Sequence, residues 1–201
     1  MSRRHTARED QLRLAVAQEA ARLMAEHGIE DFLLAKRKAA ERLLVTDSAS
    51  LPKNAEIEAA LLERQRLFHG VKHDEQLDAK RRAALQAMRL LTDFKPKLVG
   101  SVLSGSATAN AEINLHVFAE YAEQVAMRLE ENGIVAQHAE KKFRYEAERY
   151  IGFPSFKFVA GFQPLEIVVF PVDGIRQAPS SPVDGKPMAR ADLAEVQSLL
   201  K

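Results

Sequence analysis

The sequence predicts an α+β protein, with a helical region first and a mixed β-sheet with flanking helices after it. Apolar residues follow a helical spacing from Thr6 to about Phe94, with no alternating apolar run. After Pro96, short alternating segments are interleaved with helical stretches, as in proteins that pack helices on a sheet. We therefore expect two domains, a helical region over residues 1–94 and an α/β domain over residues 95–201.

Four helices are predicted in the first region. The first ends at Gly28, which suits the left-handed conformation found after helices. The second covers Glu30 to Val45, the third begins at Asn54 as a candidate N-cap, and the fourth begins near Asp74. Short links between them favour a small bundle or an open helical layer.

The second region begins with a short strand, Lys97–Val99, that enters a Gly-Ser turn. A strand over Ile113–Phe118 and a helix over Tyr121–Glu131 come next, and Ala191–Leu200 forms a final helix. Three further extended segments lie between those helices, at about 134–145, 155–162 and 165–170.

Composition narrows the functional classes. The chain has 201 residues, and its hydrophobic content of 46% is enough for a real core. The absence of cysteine excludes disulfides and thiolate metal sites. A formal net charge of +1 argues against bulk electrostatic capture of nucleic acid, which stays a weakly supported partner. No secretory or membrane-spanning segment is apparent, so we expect a cytoplasmic location and no membrane partner.

The turn after the first strand is the most informative feature. Gly100 and Ser101 can offer backbone N–H groups to a phosphate, although an ordinary strand-to-helix turn is the alternative. Alternation along the next strand places Glu112, Asn114 and His116 on one face. A carboxylate beside a phosphate site is a common way to hold a magnesium ion against a nucleotide.

These motifs resemble the nucleotidyltransferases of the polymerase-beta type. That family carries Gly-Ser, three residues, Gly, five residues and then Ser-Asp-Ile-Asp-Leu. Here Gly100-Ser101 is followed at the same spacing by Gly105 and by Ala111-Glu112-Ile113-Asn114-Leu115. A third family carboxylate lies on a later strand, where this chain has Glu166. The resemblance covers about residues 94–170.

The resemblance implies transfer of a nucleoside monophosphate from a nucleoside triphosphate (NTP) to an unknown acceptor, with help from Mg²⁺. Because Asn114 replaces a family aspartate, the two remaining carboxylates favour a single ion or weak metal binding. The implied catalytic residues are Glu112 and Glu166, the implied metal ligands are Glu112, Asn114 and Glu166, and the implied nucleotide-binding residues are Gly100, Ser101, Gly105 and Asn114.

The histidines are expected to be structural. His116 lies about 13 Å beyond Glu112 along the strand, too far to share one metal ion with it. His69 and His73 are four residues apart on a helix, a spacing that suits a metal, but no glutamate follows His69 as the zinc-protease motif requires.

A group of basic residues follows the second helix of the sheet region: Lys141, Lys142, Arg144 and Arg149. Lys142 and Arg144 share one face of an extended segment and could contact phosphate, although a solvated edge strand is the alternative. The run Lys80-Arg81-Arg82 is interpreted as a solvated helix face.

Three functional hypotheses are compatible with these patterns. The first is a metal-dependent nucleotidyltransferase, which uses an NTP and an unknown acceptor. The second is a binding or regulatory module that keeps the fold and has lost the catalytic site, as Asn114 and Ala111 suggest. The third is a DNA-binding regulator, because Leu12 to Val45, notably residues 21–28, resemble the first helices of Tet-repressor-type regulators. An oligomer is compatible with all three.

Overall fold

In the computed structural model of the protein, the chain is α+β, as the sequence predicts. The structure describes residues 2–47, 50–68, 70–145 and 149–200, and the backbone alone for residues 2–7. His69, the first histidine of the pair with His73, lies outside the described residues. The helices are α1 (Ser2–His27), α2 (Phe32–Arg42), α3 (Asn54–Phe68), α4 (Gly70–Leu90), α5 (Ser101–Ser104), α6 (Ala122–Glu131) and α7 (Leu193–Ser198). The strands are β1 (Lys97–Val99), β2 (Ile113–Phe118), β3 (Gln137–Arg144), β4 (Tyr150–Ala160) and β5 (Gln163–Phe170).

The chain divides into two compact units. One holds residues 1–73 with 182–184, and the other holds residues 74–181 with 185–201. The sequence prediction places the boundary after residue 94, whereas the compact units divide after residue 73. Most of α4 belongs to the sheet unit because its apolar side chains, such as Leu77, Leu85 and Met88, pack into the same core as the sheet.

The helical unit is built on one face of α1. Val16, Ala20 and Leu23 are fully or almost fully buried and pack against apolar residues of α2 and α3. Gly28, with φ of 65°, ends α1, and the Asp31 side chain caps α2 by accepting a hydrogen bond from the Leu34 amide. Asn54 is the first residue of α3, where its side chain donates to the Pro182 carbonyl instead of capping the helix.

Ion pairs on α1 supplement this core. Glu19 contacts the guanidinium groups of Arg22 and Arg42, at 2.8 and 3.1 Å. The hydrogen bond from Arg22, followed by the one from Arg42, lowers the pKa of Glu19 to about 2 against the opposing effect of burial.

The sheet unit contains a mixed five-stranded sheet in the order β1-β2-β5-β4-β3. The central pair, β2 and β5, is parallel, and the other neighbours are antiparallel. One face carries Ile113, Leu115, Ile167 and similar residues into the core that α4 and α6 cover. The opposite face carries the candidate polar residues. Further along, the same face carries a smaller group that we call the aromatic cluster: Phe118, Phe143, Phe153 and Phe170, with Val168.

Two residues of the basic run on α4 are buried, contrary to the sequence interpretation, and only Arg82, with a side chain 60% exposed, lies on a solvated face. Lys80 is 2% exposed and Arg81 is 8% exposed. Lys80 Nζ donates to the Ala111 carbonyl at 2.8 Å and to Gln163 Oε1 at 2.9 Å. These bonds join α4 to Ala111, which precedes Glu112, and to the start of β5. A buried cation therefore helps to hold the segment before β2 and the start of β5 in place.

Candidate functional site

Strand pairing brings three polar side chains into one row across the sheet. Asn114 on β2 lies opposite Glu166 on β5, and Glu166 lies opposite Lys157 on β4. Because side chains alternate between faces, residues in register on neighbouring strands share a face. Glu112 comes two residues before Asn114 and faces the same side, so the two acids meet on one surface.

Each acid is paired with a lysine. Lys157 Nζ lies 3.1 Å from Glu112 Oε1 and 3.7 Å from Glu166 Oε1, so one ammonium group contacts both carboxylates. Lys141 Nζ donates to Glu166 Oε2 and, at 2.7 Å, to Asn114 Oδ1. We call Glu112, Asn114, Glu166, Lys141 and Lys157 the acid–lysine cluster. Its formal net charge is zero.

The cluster has a buried centre and an open rim. The Glu166 side chain is 4% exposed, whereas the side chains of Lys141 and Lys157 are 34% and 40% exposed. Ser155 Oγ, which is also buried, donates to Glu166 Oε1 at 3.2 Å. Glu166 is therefore held by two hydrogen-bond donors, Lys141 and Ser155, and by an ion-pair contact with Lys157, while the two lysines and Glu112, which is 26% exposed, reach solvent.

The Gly-Ser turn lies directly beside the cluster. Val99, the last residue of β1, pairs with Asn114, and Gly100 comes next with φ of 74° and ψ of −154°. A Cβ atom at Gly100 would lie 4.0 Å from Asn114 Nδ2. Gly100 is the N-cap of α5 and Ser101 is its first residue. The first amides of a helix have no acceptor within the helix, so the Ser101 amide has no acceptor within α5.

Gly105 lies at the other end of the short helix. It takes a φ of 89° as the C-cap of α5, where its amide donates to the Ser101 carbonyl at 2.9 Å. A Cβ atom at Gly105 would approach Leu77 and Arg81 of α4, and not the acid–lysine cluster. The structure thus places Gly105 at a helix end that packs on α4.

We expect a Gly100→Ala substitution to lower the free energy of unfolding of the sheet unit by about 1–3 kcal/mol, because its φ and ψ belong to a region almost restricted to glycine. Urea unfolding followed by tyrosine fluorescence would measure this, since Tyr121, Tyr145 and Tyr150 all belong to that unit and the chain has no tryptophan. Gly133→Ala is the control, because its φ of 70° is an ordinary left-handed value with open space around the added carbon. Equal losses in the two variants would contradict the argument.

His116 is buried two residues beyond Asn114 on the same strand. It is 1% exposed, and its ring contacts Phe143 and Phe170. Arg190 Nε donates to His116 Nδ1 at 3.2 Å, so that nitrogen carries no proton. Burial first, and then the charges of Arg190 and Lys141, hold the pKa of His116 well below its ordinary value.

Sequence reasoning did not assign to the site the two lysines that complete the cluster, Lys141 and Lys157. It proposed Lys142 and Arg144 as phosphate contacts, but alternation on β3 puts Lys141 on the side of the cluster. Lys142 is 71% exposed, and its nearest acidic partner is Glu140 at 4.0 Å. The available signal was Glu166 itself, because a carboxylate inside an apolar strand requires a cation if it is buried.

The cluster, as arranged, does not fit a magnesium ion. Mg²⁺ needs oxygen ligands with free lone pairs and carboxylate charge to balance its own. Here Glu112, Asn114 and Glu166 accept from lysines, and an added cation would lie against two ammonium groups. Within the part of the chain that the structure describes, no group of three or more His, Cys, Asp or Glu side chains could hold a metal ion.

Comparison with known proteins adds little. No protein-family model matches the chain, and no curated protein shows a significant match. Among solved structures, the chain is similar to the Cid1 poly(U) polymerase with MgGTP bound, at 22% sequence identity and a TM-score of 0.31. The match covers 46% of this chain and 32% of that chain, so it spans about a third of the polymerase. A likeness at this level carries no conclusion about activity, which has to be inferred from the geometry of the cluster.

No helix among the described residues has the length and apolar character needed to cross a membrane.

Proposed function

We propose that the chain is a nucleotide-binding module of the nucleotidyltransferase type, which holds the triphosphate of an NTP and does not transfer its nucleotidyl group. The observation that supports this most strongly is the pairing of Glu112 and Glu166 with Lys157 and Lys141. An acid set that is already neutralised leaves little charge with which to hold catalytic metal ions. The partly exposed ammonium groups and the Gly100-Ser101 turn supply donors for phosphate oxygens.

Calorimetric titration of the full chain with ATP, GTP, CTP and UTP tests this proposal. We expect at least one NTP to bind with a dissociation constant of about 1 mM or lower, equivalent to about −4 kcal/mol of binding free energy. Lys141→Ala should weaken binding by about tenfold, because it removes a charge-assisted donor. Lys142→Ala is the matched control, since that lysine is on the same strand and faces away. No binding to the folded chain at millimolar NTP would refute the proposal.

Metal-assisted nucleotidyl transfer is the second candidate. It is favoured by one observation, that Glu112 and Glu166 both lie within 4 Å of one position, which Lys157 Nζ occupies, and it would require that lysine to leave. Pyrophosphate release from NTP and Mg²⁺ would distinguish the two candidates. Release that the wild type catalyses and that Glu166→Gln abolishes would establish transfer, whereas NTP binding without release supports the binding module.

The DNA-binding hypothesis stays a prediction. A helix-turn-helix motif joins its two helices by a turn of about three or four residues, and residues 28–31 separate α1 from α2 by that length. Because the formal net charge of +1 argues against bulk attraction of nucleic acid, we do not propose the helical unit as a DNA-binding domain.

A further inference from the structure

We infer that the ammonium groups of Lys141 and Lys157 replace divalent cations in the acid–lysine cluster, so that the site binds phosphate without a metal and becomes a metal site only when lysine is removed. This inference rests on the proposed function for the identity of the ligand, a nucleoside triphosphate. The role of the two lysines as cations rests only on their contacts within the acid–lysine cluster.

The lysines occupy the positions that bridging cations would need. A cation that links two carboxylates must lie between them, and Lys157 Nζ does so, with contacts to Glu112 at 3.1 Å and to Glu166 at 3.7 Å. Lys141 Nζ joins Glu166 to Asn114, the other oxygen donor of the row. The two ammonium groups therefore contact the same oxygens that a metal ion would need.

The charges of the cluster are balanced by these lysines. Two divalent cations among three carboxylates would leave one net positive charge, whereas two ammonium groups between two carboxylates leave none. The loss of an aspartate at the position of Asn114 removes one negative charge, and the replacement of two divalent ions by two ammonium groups removes two positive charges. Together the two changes bring the net charge of the cluster to zero. A cluster that kept three acids with two lysines would instead carry a net negative charge and would repel phosphate.

Solvent reaches both ammonium groups. Lys141 and Lys157 are each about one-third or more exposed, so phosphate oxygens can approach them. An ammonium group has three donors, and the contacts of Lys141 with Asn114 and Glu166 use two of them. A further donor can therefore meet a ligand oxygen while the buried carboxylate stays neutralised.

The inference is tested by Mn²⁺ binding to the full chain without nucleotide, measured by electron paramagnetic resonance. Mn²⁺ prefers the same oxygen ligands as Mg²⁺ and serves as its probe. Lys157→Ala, which leaves Lys141 to pair Glu166, should bind Mn²⁺ at least about tenfold more tightly than the wild type, a change of about 1.4 kcal/mol. Adding Asn114→Asp should strengthen binding again, and Glu112→Gln in the Lys157→Ala background should remove the gain.

Lys142→Ala is the matched control and should leave Mn²⁺ affinity unchanged. A wild type that binds Mn²⁺ as tightly as Lys157→Ala overturns the inference, and so does a folded Lys157→Ala variant without any gain. A second measurement needs no variant: NTP affinity of the wild type in EDTA should lie within about threefold of its affinity in Mg²⁺. If NTP binds only with Mg²⁺, the inference fails while the proposed nucleotide site survives. If no NTP binds, the proposed function fails and the Mn²⁺ measurement still decides the role of the lysines.

Discussion

Replacing Lys141 by methionine is expected to lower the free energy of unfolding of the sheet unit by about 3 kcal/mol. Glu166 is buried in the middle of an apolar strand, and Lys141 is its main charged partner. Removal of one member of a buried ion pair leaves the other charge without compensation, at a typical cost of about 3–5 kcal/mol. The lower end applies here because Lys157 and Ser155 still contact the Glu166 carboxylate.

The cause of this loss can be isolated with a double-mutant cycle. Glu166→Gln removes the charge and keeps a polar group within reach of Ser155, so the pair Lys141→Met with Glu166→Gln should regain most of the lost stability. Urea unfolding followed by tyrosine fluorescence reports on the sheet unit, which contains all three tyrosines. Lys142→Met should be close to neutral because its side chain is 71% exposed. If Lys141→Met is no less stable than Lys142→Met, the pair has no structural role.

The strands at the centre of the sheet were predictable because their patterns are strong. Residues 112–117 alternate polar and apolar side chains, and residues 165–170 form an apolar run that only Glu166 interrupts. The structure places β2 at 113–118 and β5 at 163–170. The convergence of Glu112 and Glu166 could be expected only from the resemblance to polymerase-beta type nucleotidyltransferases. No local sequence pattern indicates that β2 and β5 are parallel neighbours.

The lysine partners could not be predicted, because register is a tertiary property. Alternation along β4 and β3 limits Lys157 and Lys141 to one face each, but the row that each occupies depends on hydrogen-bonded pairing with β5 and β4. A shift of one residue on β3 would have turned Lys142 toward Glu166 instead. Sequence reasoning chose Lys142 and Arg144 for their shared face, with nothing to decide between the two faces.

The buried basic pair on α4 was missed for a different reason. Three consecutive basic residues normally indicate a solvated face, because a buried ammonium group requires compensating acceptors. Here the acceptors for Lys80 are a backbone carbonyl and an amide side chain, from residues 31 and 83 positions away in the sequence. Arg81 likewise donates to the carbonyls of Val102 and Leu199. Acceptors so distant leave no local pattern around the basic run.

The stability of the sheet unit should depend on pH through His116. Because its folded pKa lies well below the ordinary value of 6.5, the unfolded chain binds a proton that the folded chain does not bind as the pH falls below about 6.5. Stability contributed by neutral His116 is therefore complete above that pH and is lost as the pH decreases toward the folded pKa. The expected slope is up to about 1.4 kcal/mol per pH unit.

The surroundings of His116 explain why it resists protonation. Arg190 donates to Nδ1, the nitrogen that would take the proton, and Lys141 adds a second positive charge nearby. The rings of Phe143 and Phe170 contact the imidazole and provide no anion that could stabilise its charged form. Protonation would therefore break the bond with Arg190 and place an unbalanced charge in the aromatic cluster.

A His116→Asn variant separates this titration from the others. Asparagine cannot take up a proton, and its Oδ1 can accept the hydrogen bond from Arg190 in place of Nδ1. Unfolding free energies measured by tyrosine fluorescence between about pH 5 and 7.5, on either side of the ordinary histidine pKa, should fall more steeply for the wild type than for the variant. Carboxylates contribute to both curves in the same way, so they cancel in the difference between the two proteins. Parallel curves would show that His116 does not couple the fold of the sheet unit to pH.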